Sequence, residues 1–193
     1  FLKTQYYHPS ELWTFVAGSY VDWVGTGGAM PVLIPYDLER SKLTFILENI
    51  DGMLFPGGAA ILKKRADETQ PSSYQDTADF IYRWAMEQNN RKEYFPIWAT
   101  CLGWENLLIS EAGKTSALEC DLDDEHISHT VEPTAELDKS EFFKKVGLEK
   151  TKAVWKTNSM YYTHSCGIRV SSFRQNSALS AAFTLLGTSK NAK

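Results

Sequence analysis

Cysteine is scarce in this chain: three in 193 residues, at Cys101, Cys120 and Cys166. An odd trio does not make the even framework of a disulfide-dense scaffold. If Cys101 stays a free thiol, Cys120 and Cys166 are left able to pair, and the sequence does not decide whether they do. Long apolar runs are lacking as well. The longest stretches, residues 30–35 and 178–187, fall far short of the roughly 20 apolar residues that a spanning helix needs, so no transmembrane segment is expected. Long basic stretches are lacking too. Lys and Arg number 20 against 24 Asp and Glu, the net charge is −4, and no basic stripe offers a track for phosphates, so nucleic acid is not expected as a partner. Internal repeats and low-complexity linkers are absent too. What remains, with 43% hydrophobic and 13% aromatic residues, suits one globular domain with its own core, and residues 1–193 are read as that single domain.

Apolar spacing divides the first half cleanly. A helix is predicted over 9–24 (Leu12, Phe15, Val16, Tyr20, Trp23), then a short strand over 30–34 and a helix over 39–49 with Leu43, Ile46 and Leu47 on one face. A strand over 52–55 runs into Pro56-Gly57-Gly58. A long polar loop with Lys63, Lys64 and Arg65 follows, then a helix over 73–88 with Tyr74, Ala78, Ile81, Tyr82 and Ala85 inward, then a strand over 95–98. Beyond residue 115 the pattern weakens. Residues 120–129 are acidic, 141–146 form a short amphipathic piece, 153–155 and 181–186 read as strands, 158–167 as a polar loop, and 187–193 as a hairpin turn. Strands alternating with helices imply an α/β fold with a doubly wound, mostly parallel sheet. Ligands in such sheets sit beyond the carboxyl ends of the strands, where both Pro56-Gly57-Gly58 and Cys101 fall. A hairpin needs a second strand and such a sheet a leading one, and neither is found.

Cys101 is the most informative residue. It stands where the apolar run Phe95-Pro-Ile-Trp98 turns through small residues into the helical segment 104–109. A nucleophile on a sharp strand-to-helix elbow stands clear of the sheet, and the first amides of the helix meet a developing oxyanion and are expected to lower the thiol pKa. Gly57 and Gly58 suit the same task, because without a Cβ their N–H groups approach a reacting carbonyl closely. The competing readings are an ordinary buried thiol and a plain turn.

These residues resemble the γ-glutamyl hydrolases, a cysteine peptidase family of the class I glutamine amidotransferase-like superfamily. The resemblance rests on Ser19-Tyr-Val21 with Gly27-Gly-Ala29, on Ile50-Asp-Gly-Met-Leu-Phe-Pro-Gly-Gly58, and on Tyr94-Phe-Pro-Ile-Trp-Ala-Thr-Cys-Leu-Gly-Trp-Glu105, with a looser match around His164 and 183–188. It implies a three-layer, flavodoxin-like α/β architecture and cysteine-dependent hydrolysis of γ-glutamyl bonds, as in poly-γ-glutamyl folates, through a thioester. It implies that Cys101 is the nucleophile, that Gly58 and Leu102 give the oxyanion-hole amides, and that Gly57, Glu105 and His164 line the substrate pocket. Neither metal nor organic cofactor is implied. Lysosome, vacuole or the extracellular space is the implied location, and Phe1 in place of an initiator Met is compatible with that.

Two departures stand out. Ala99 occupies the position two before the nucleophile where the family usually has Gly. The family's general-base histidine, in a Phe/Trp-His-Pro-Glu motif, is not spelled in the 92 residues after Cys101 (193 − 101). The expectation is that the native polypeptide starts before Phe1 and continues past Lys193. A catalytically silent binding or structural protein, or a glutamine amidotransferase subunit, is the alternative. A homodimer or a protein partner is expected over any exposed sheet edge.

Four further features have modest readings. His126 and His129, three apart beside carboxylates, would bind a divalent metal if helical, but the stretch reads first as a solvated acidic face. His8 stands exposed before a helix entry at Pro9. His164 is a pocket residue first, and could act as base where geometry allows. Lys63, Lys64 and Arg65 read as a solvated loop ahead of a contact for an acidic substrate.

Overall fold

Local structure follows apolar periodicity most closely between residues 40 and 112. The computed structural model describes residues 4–8, 11–64, 67–122 and 124–190, and the chain divides into two units, Phe1–Ser116 and Ala117–Lys193.

The first unit opens with strands β1 (Thr4–His8) and β2 (Glu11–Phe15), paired antiparallel from Thr4↔Phe15 to His8↔Glu11, followed by helix α1 (Gly18–Thr26). The single helix predicted over 9–24 is therefore wrong in its first half. Helical spacing at Leu12, Phe15 and Val16 gave no sign of a pairing partner, and the β-prone run Leu12-Trp-Thr-Phe15 found one. His8 ends a strand; Pro9 and Ser10 lie outside the described residues. The strand predicted over 30–34 reduces to one bridge at Ile34, since Pro31 and Pro35 cannot donate to a ladder.

Helix α2 (Arg40–Leu47) buries Leu43 and Leu47, one turn apart. Strand β3 (Met53–Phe55) follows, then β4 (Lys63–Lys64) and β5 (Asp67–Pro71), which pair where a polar loop was predicted; Arg65 lies outside the described residues. Helix α3 (Ser73–Asn90) starts at Ser72, whose hydroxyl accepts from the Gln75 amide at 3.2 Å, and Asp76 in its first turn suits the helix dipole. Its buried stripe includes Tyr74, Ala78, Ile81, Tyr82 and Ala85, as the sequence predicts. At its far end Asn89 accepts from the Phe95 amide at 3.0 Å and donates to the Phe95 carbonyl at 2.8 Å, which fixes the entry to β6 (Ile97–Ala99).

Strands β3 and β6 run parallel in the register Met53↔Ile97, Leu54↔Trp98, Phe55↔Ala99. Helix α4 (Leu102–Ala112) leaves β6 through Cys101 and lies against β3 at Gly103. A Cβ at Gly103 would clash with the Phe55 carbonyl and stand 2.7 Å from Phe55 Cβ, so glycine alone permits this approach.

The second unit holds β7 (Asp124–His129), β8 (Glu132–Pro133), α5 (Glu141–Val146), α6 (Leu148–Trp155), β9 (Met160–His164), α7 (Val170–Gln175), α8 (Ser177–Ala182) and β10 (Gly187–Thr188). Its pairs, β7–β9 and β8–β10, are antiparallel. Four predictions fail here. Residues 153–155 close α6 and are not a strand. The polar loop contains β9, whose alternating Tyr161 and Thr163 face outward. The strand predicted over 181–186 is displaced by α8, whose cap Asn176 accepts from the Ala178 and Leu179 amides. Gly187 and Thr188 pair with β8 and so are not a turn. Cys120 and Cys166 form a disulfide.

Candidate active site

Parallel pairing of β3 and β6 brings their carboxyl ends to one edge, and the bond from the Thr100 amide to the Phe55 carbonyl (3.1 Å) extends the match past β6. Cys101 follows immediately. Its backbone adopts φ 52° and ψ −118°, a left-handed region that non-glycine residues rarely enter and that costs about 1–3 kcal/mol. The turn closes directly into α4: the Gly103 amide donates to the Thr100 carbonyl at 2.9 Å and the Glu105 amide to the Cys101 carbonyl at 3.0 Å. This is a strained strand-to-helix elbow.

Cys101 is half-buried and is the one free thiol of these 193 residues. The backbone amides of Leu102 and Gly58 both favour its thiolate. The thiol pKa nevertheless lies above its ordinary value. Burial raises it most, the Leu102 amide lowers it, the nearby Glu105 carboxylate raises it again, and the Gly58 amide lowers it. The expectation of a lowered pKa is thus overturned: the helix amides act in the expected direction, but desolvation outweighs them. Glu105, in the first turn of α4, is itself pushed up by burial.

Gly57 packs where a Cβ would stand 3.3 Å from Cys101 Cβ and 3.0 Å from Tyr20 Oη, and its amide donates to that phenol at 2.9 Å. Tyr20 comes from α1 and was missed as a site residue, although Ser19-Tyr-Val21 already figured in the resemblance; spacing alone gives no reach from residue 20 to residue 57. One turn along α1, Trp23 meets Trp98 of β6 edge to face, centroids 5.3 Å apart. A shallow depression on α2, lined by Leu38, Phe45 and Ile46, shares no residue with this site.

The structure brings together Gly57, Gly58, Cys101, Leu102 and Glu105. His164 belongs to the second unit, at the end of β9, with its ring edge-on to Tyr162 at 5.4 Å and its Nδ1 buried without a hydrogen-bond partner among the described residues. His126 and His129 lie on a bulged strand and not on a helix, so the shared helical face a metal pair needs is missing. No group of three or more His, Cys, Asp or Glu among the described residues is arranged to hold a metal. No helix of the described residues is long and apolar enough to cross a membrane.

Comparison with known sequences decides the family. The profile of the Peptidase C26 family matches residues 3–186. The chain belongs to the Peptidase C26 family. Membership implies a class I glutamine amidotransferase-like fold, and the structure accordingly mixes helices and sheets. Similar curated proteins include the gamma-glutamyl hydrolase of Mus musculus, 28% identical over 179 residues (93% of this chain, 54% of that protein). Gamma-glutamyl hydrolase B of Dictyostelium discoideum is 28% identical over 177 residues (92% and 49%). Gamma-glutamyl hydrolase 1 of Arabidopsis thaliana is 30% identical over 176 residues (91% and 48%). The chain spans about half the length of these Peptidase C26 relatives.

Proposed function

We propose that this protein is a cysteine-dependent γ-glutamyl hydrolase acting on poly-γ-glutamyl folates, with Cys101 as nucleophile. One observation carries the reading: Cys101 stands on a strained strand-to-helix elbow at φ 52° and ψ −118°, beside a glycine pair so close that a Cβ at Gly57 would lie 3.3 Å from Cys101 Cβ. In the proposed reaction Sγ attacks the γ-carbonyl carbon, and the electron pair of the C=O bond moves to oxygen, where the two amides hold it. Collapse expels the amine, which takes up a proton, and leaves a thioester. Water then attacks the thioester carbon, its oxygen leaving in the γ-carboxylate, one of its protons going to sulfur and the other to solvent. Because burial keeps the thiol above its ordinary pKa, a general base must take its proton; the His-Pro-Glu motif that supplies it in the family is not among these 193 residues. Gly57 and Glu105 are proposed to line the substrate pocket.

The finer readings are proposals of the same kind. A doubly wound, mostly parallel sheet is supported by the parallel β3–β6 pair joined through α3. One hydrolase-like domain over 1–193 is supported by a family match that runs through both units. A lysosomal, vacuolar or extracellular location is supported by the Cys120–Cys166 disulfide, since such bonds persist in oxidising compartments. A second copy or a protein partner over a sheet edge is supported by the short two-stranded sheets, which are marginal alone.

The test is incubation of the full natural polypeptide, and of its Cys101→Ala variant, with a pteroyl polyglutamate. Shortening of the glutamate chain by the first and not by the second is expected. No shortening by either overturns the reading.

A further inference from the structure

The consecutive amides of Gly57 and Gly58 serve different neighbours: Gly57 N–H donates to Tyr20 Oη at 2.9 Å, while the Gly58 amide acts on the Cys101 thiol, whose pKa it lowers. We propose that Tyr20 is a positioning residue for the oxyanion hole, its phenol oxygen fixing the peptide that carries the Gly58 amide to the reacting centre. The proposal rests on the hydrolase reading of Cys101.

Two glycines in succession have more backbone freedom than any other pair, so their own chemistry does not hold one amide orientation. Some outside group must. Pro56 is buried and constrains one side of the loop; on the other side the Tyr20 phenol accepts the first glycine amide. Phenol and nucleophile both stand against Gly57, since a Cβ there would lie 3.0 Å from Tyr20 Oη and 3.3 Å from Cys101 Cβ. Helix α1, which brings the phenol, has no fully buried side chain of its own. It is anchored by Tyr20 on Gly57 and, three residues on, by Trp23 against Trp98. Removing the phenol oxygen leaves the half-buried Gly57 amide without its acceptor and frees the Gly57–Gly58 peptide to rotate. The Gly58 amide then leaves the line to sulfur for part of the time. Deleting an oxyanion donor outright lowers kcat by about 10²–10³-fold, and loosening one is expected to lower it by about 10- to 100-fold.

The experiment compares the full natural polypeptide with its Tyr20→Phe and Trp23→Phe variants. It reads kcat and KM on a pteroyl polyglutamate, the pH midpoint of Cys101 alkylation by iodoacetamide, and hydrogen exchange across residues 56–58. For Tyr20→Phe the expected result is the stated fall in kcat with KM changed less than about threefold, the pattern of an interaction made in the transition state. The alkylation midpoint moves to higher pH because the thiolate loses an amide donor, and exchange at Gly57 quickens. Trp23→Phe, which keeps the phenol and its bond to Gly57, shifts the alkylation midpoint less than Tyr20→Phe does. A Tyr20→Phe protein with wild-type kcat and midpoint overturns the proposal, and so does an equal shift in Trp23→Phe. If the wild type shortens no substrate, the hydrolase reading falls. The alkylation midpoint and exchange then decide for Tyr20 alone: a shift supports its hold on Gly58, and no shift overturns it.

Discussion

The two units are stabilised by different means. In Phe1–Ser116 the described core is broad and apolar: Ile34, Leu43, Leu47, Phe55, Ile81 and Leu108 are all essentially inaccessible, with Tyr74 and Tyr82 beside them. In Ala117–Lys193 the buried apolar side chains among the described residues reduce to Ala117, Leu137, Phe173 and Leu179, of which only the two leucines are fully enclosed. There the chain is tied by the Cys120–Cys166 disulfide and by Arg169, which grips both oxygens of Asp121 at 2.8 and 2.9 Å and also pairs with Glu119. Backbone bonds between Glu119 and Gly167 run in both directions beside the disulfide. The strained elbow at Cys101 thus sits on the unit with the larger core, where apolar burial supplies rigidity without covalent help.

Breaking the disulfide should separate the units most sharply. It joins residues 46 apart, and closing a loop of that length is worth up to about 4 kcal/mol in the chain-entropy account. Replacing Cys120 and Cys166 together by Ser should therefore lose about 2–4 kcal/mol from the second unit. Hydrogen exchange should quicken across residues 117–170 and stay unchanged across 40–112; equal quickening in both would erase the contrast. Next comes Gly103→Ala. Its Cβ would meet the Phe55 backbone, which cannot yield as a flexible side chain does, so a loss of about 3 kcal/mol is expected from overpacking. A urea midpoint unchanged from wild type would show that α4 does not depend on this close approach to β3.

The smallest effect lies at Glu119. Burial alone raises its carboxyl, but the Arg169 guanidinium and amide, helped by Ser172, outweigh it and hold the pKa below the ordinary 4.5. A depressed carboxylate gives stability that is present above the ordinary value and lost as pH falls through the folded value. The pair is partly exposed, so the acid limb should carry less than about 1 kcal/mol. Glu119→Gln should remove that limb; an unaltered acid titration of stability would show that Arg169 relies on Asp121 alone.

Legibility followed the same division. Helices α2, α3 and α4 and strands β3 and β6 were readable because each carries a buried stripe or apolar run bounded by Gly, Pro or a capping Ser. Residues 11–15 were not, because a ladder to residues 4–8 is a non-local fact that helical spacing conceals. In the second unit the signals were polar. The cap at Asn176 was present in the sequence but weaker than the apolar run after it, and the strand at Met160–His164 was hidden by flanking Ser and Asn. Of three possible cysteine pairings, spacing selects none. At the site, Cys101, Gly57 and Gly58 were legible as an elbow facing a glycine pair, whereas Tyr20 was not. The direction of the thiol pKa was misread because sequence shows the helix amides and hides the burial that outweighs them.

The proposed reaction requires that Cys101 itself form the covalent bond to substrate. The most direct measurement is an acid quench of the full natural polypeptide during turnover of a γ-glutamyl anilide, followed by mass analysis of the peptide containing Cys101. The account predicts an acyl group on the Cys101 sulfur and none on the Cys101→Ala protein, which should not turn over. Turnover by Cys101→Ala at the wild-type rate, with no acyl group on Cys101 in the native protein, would contradict it.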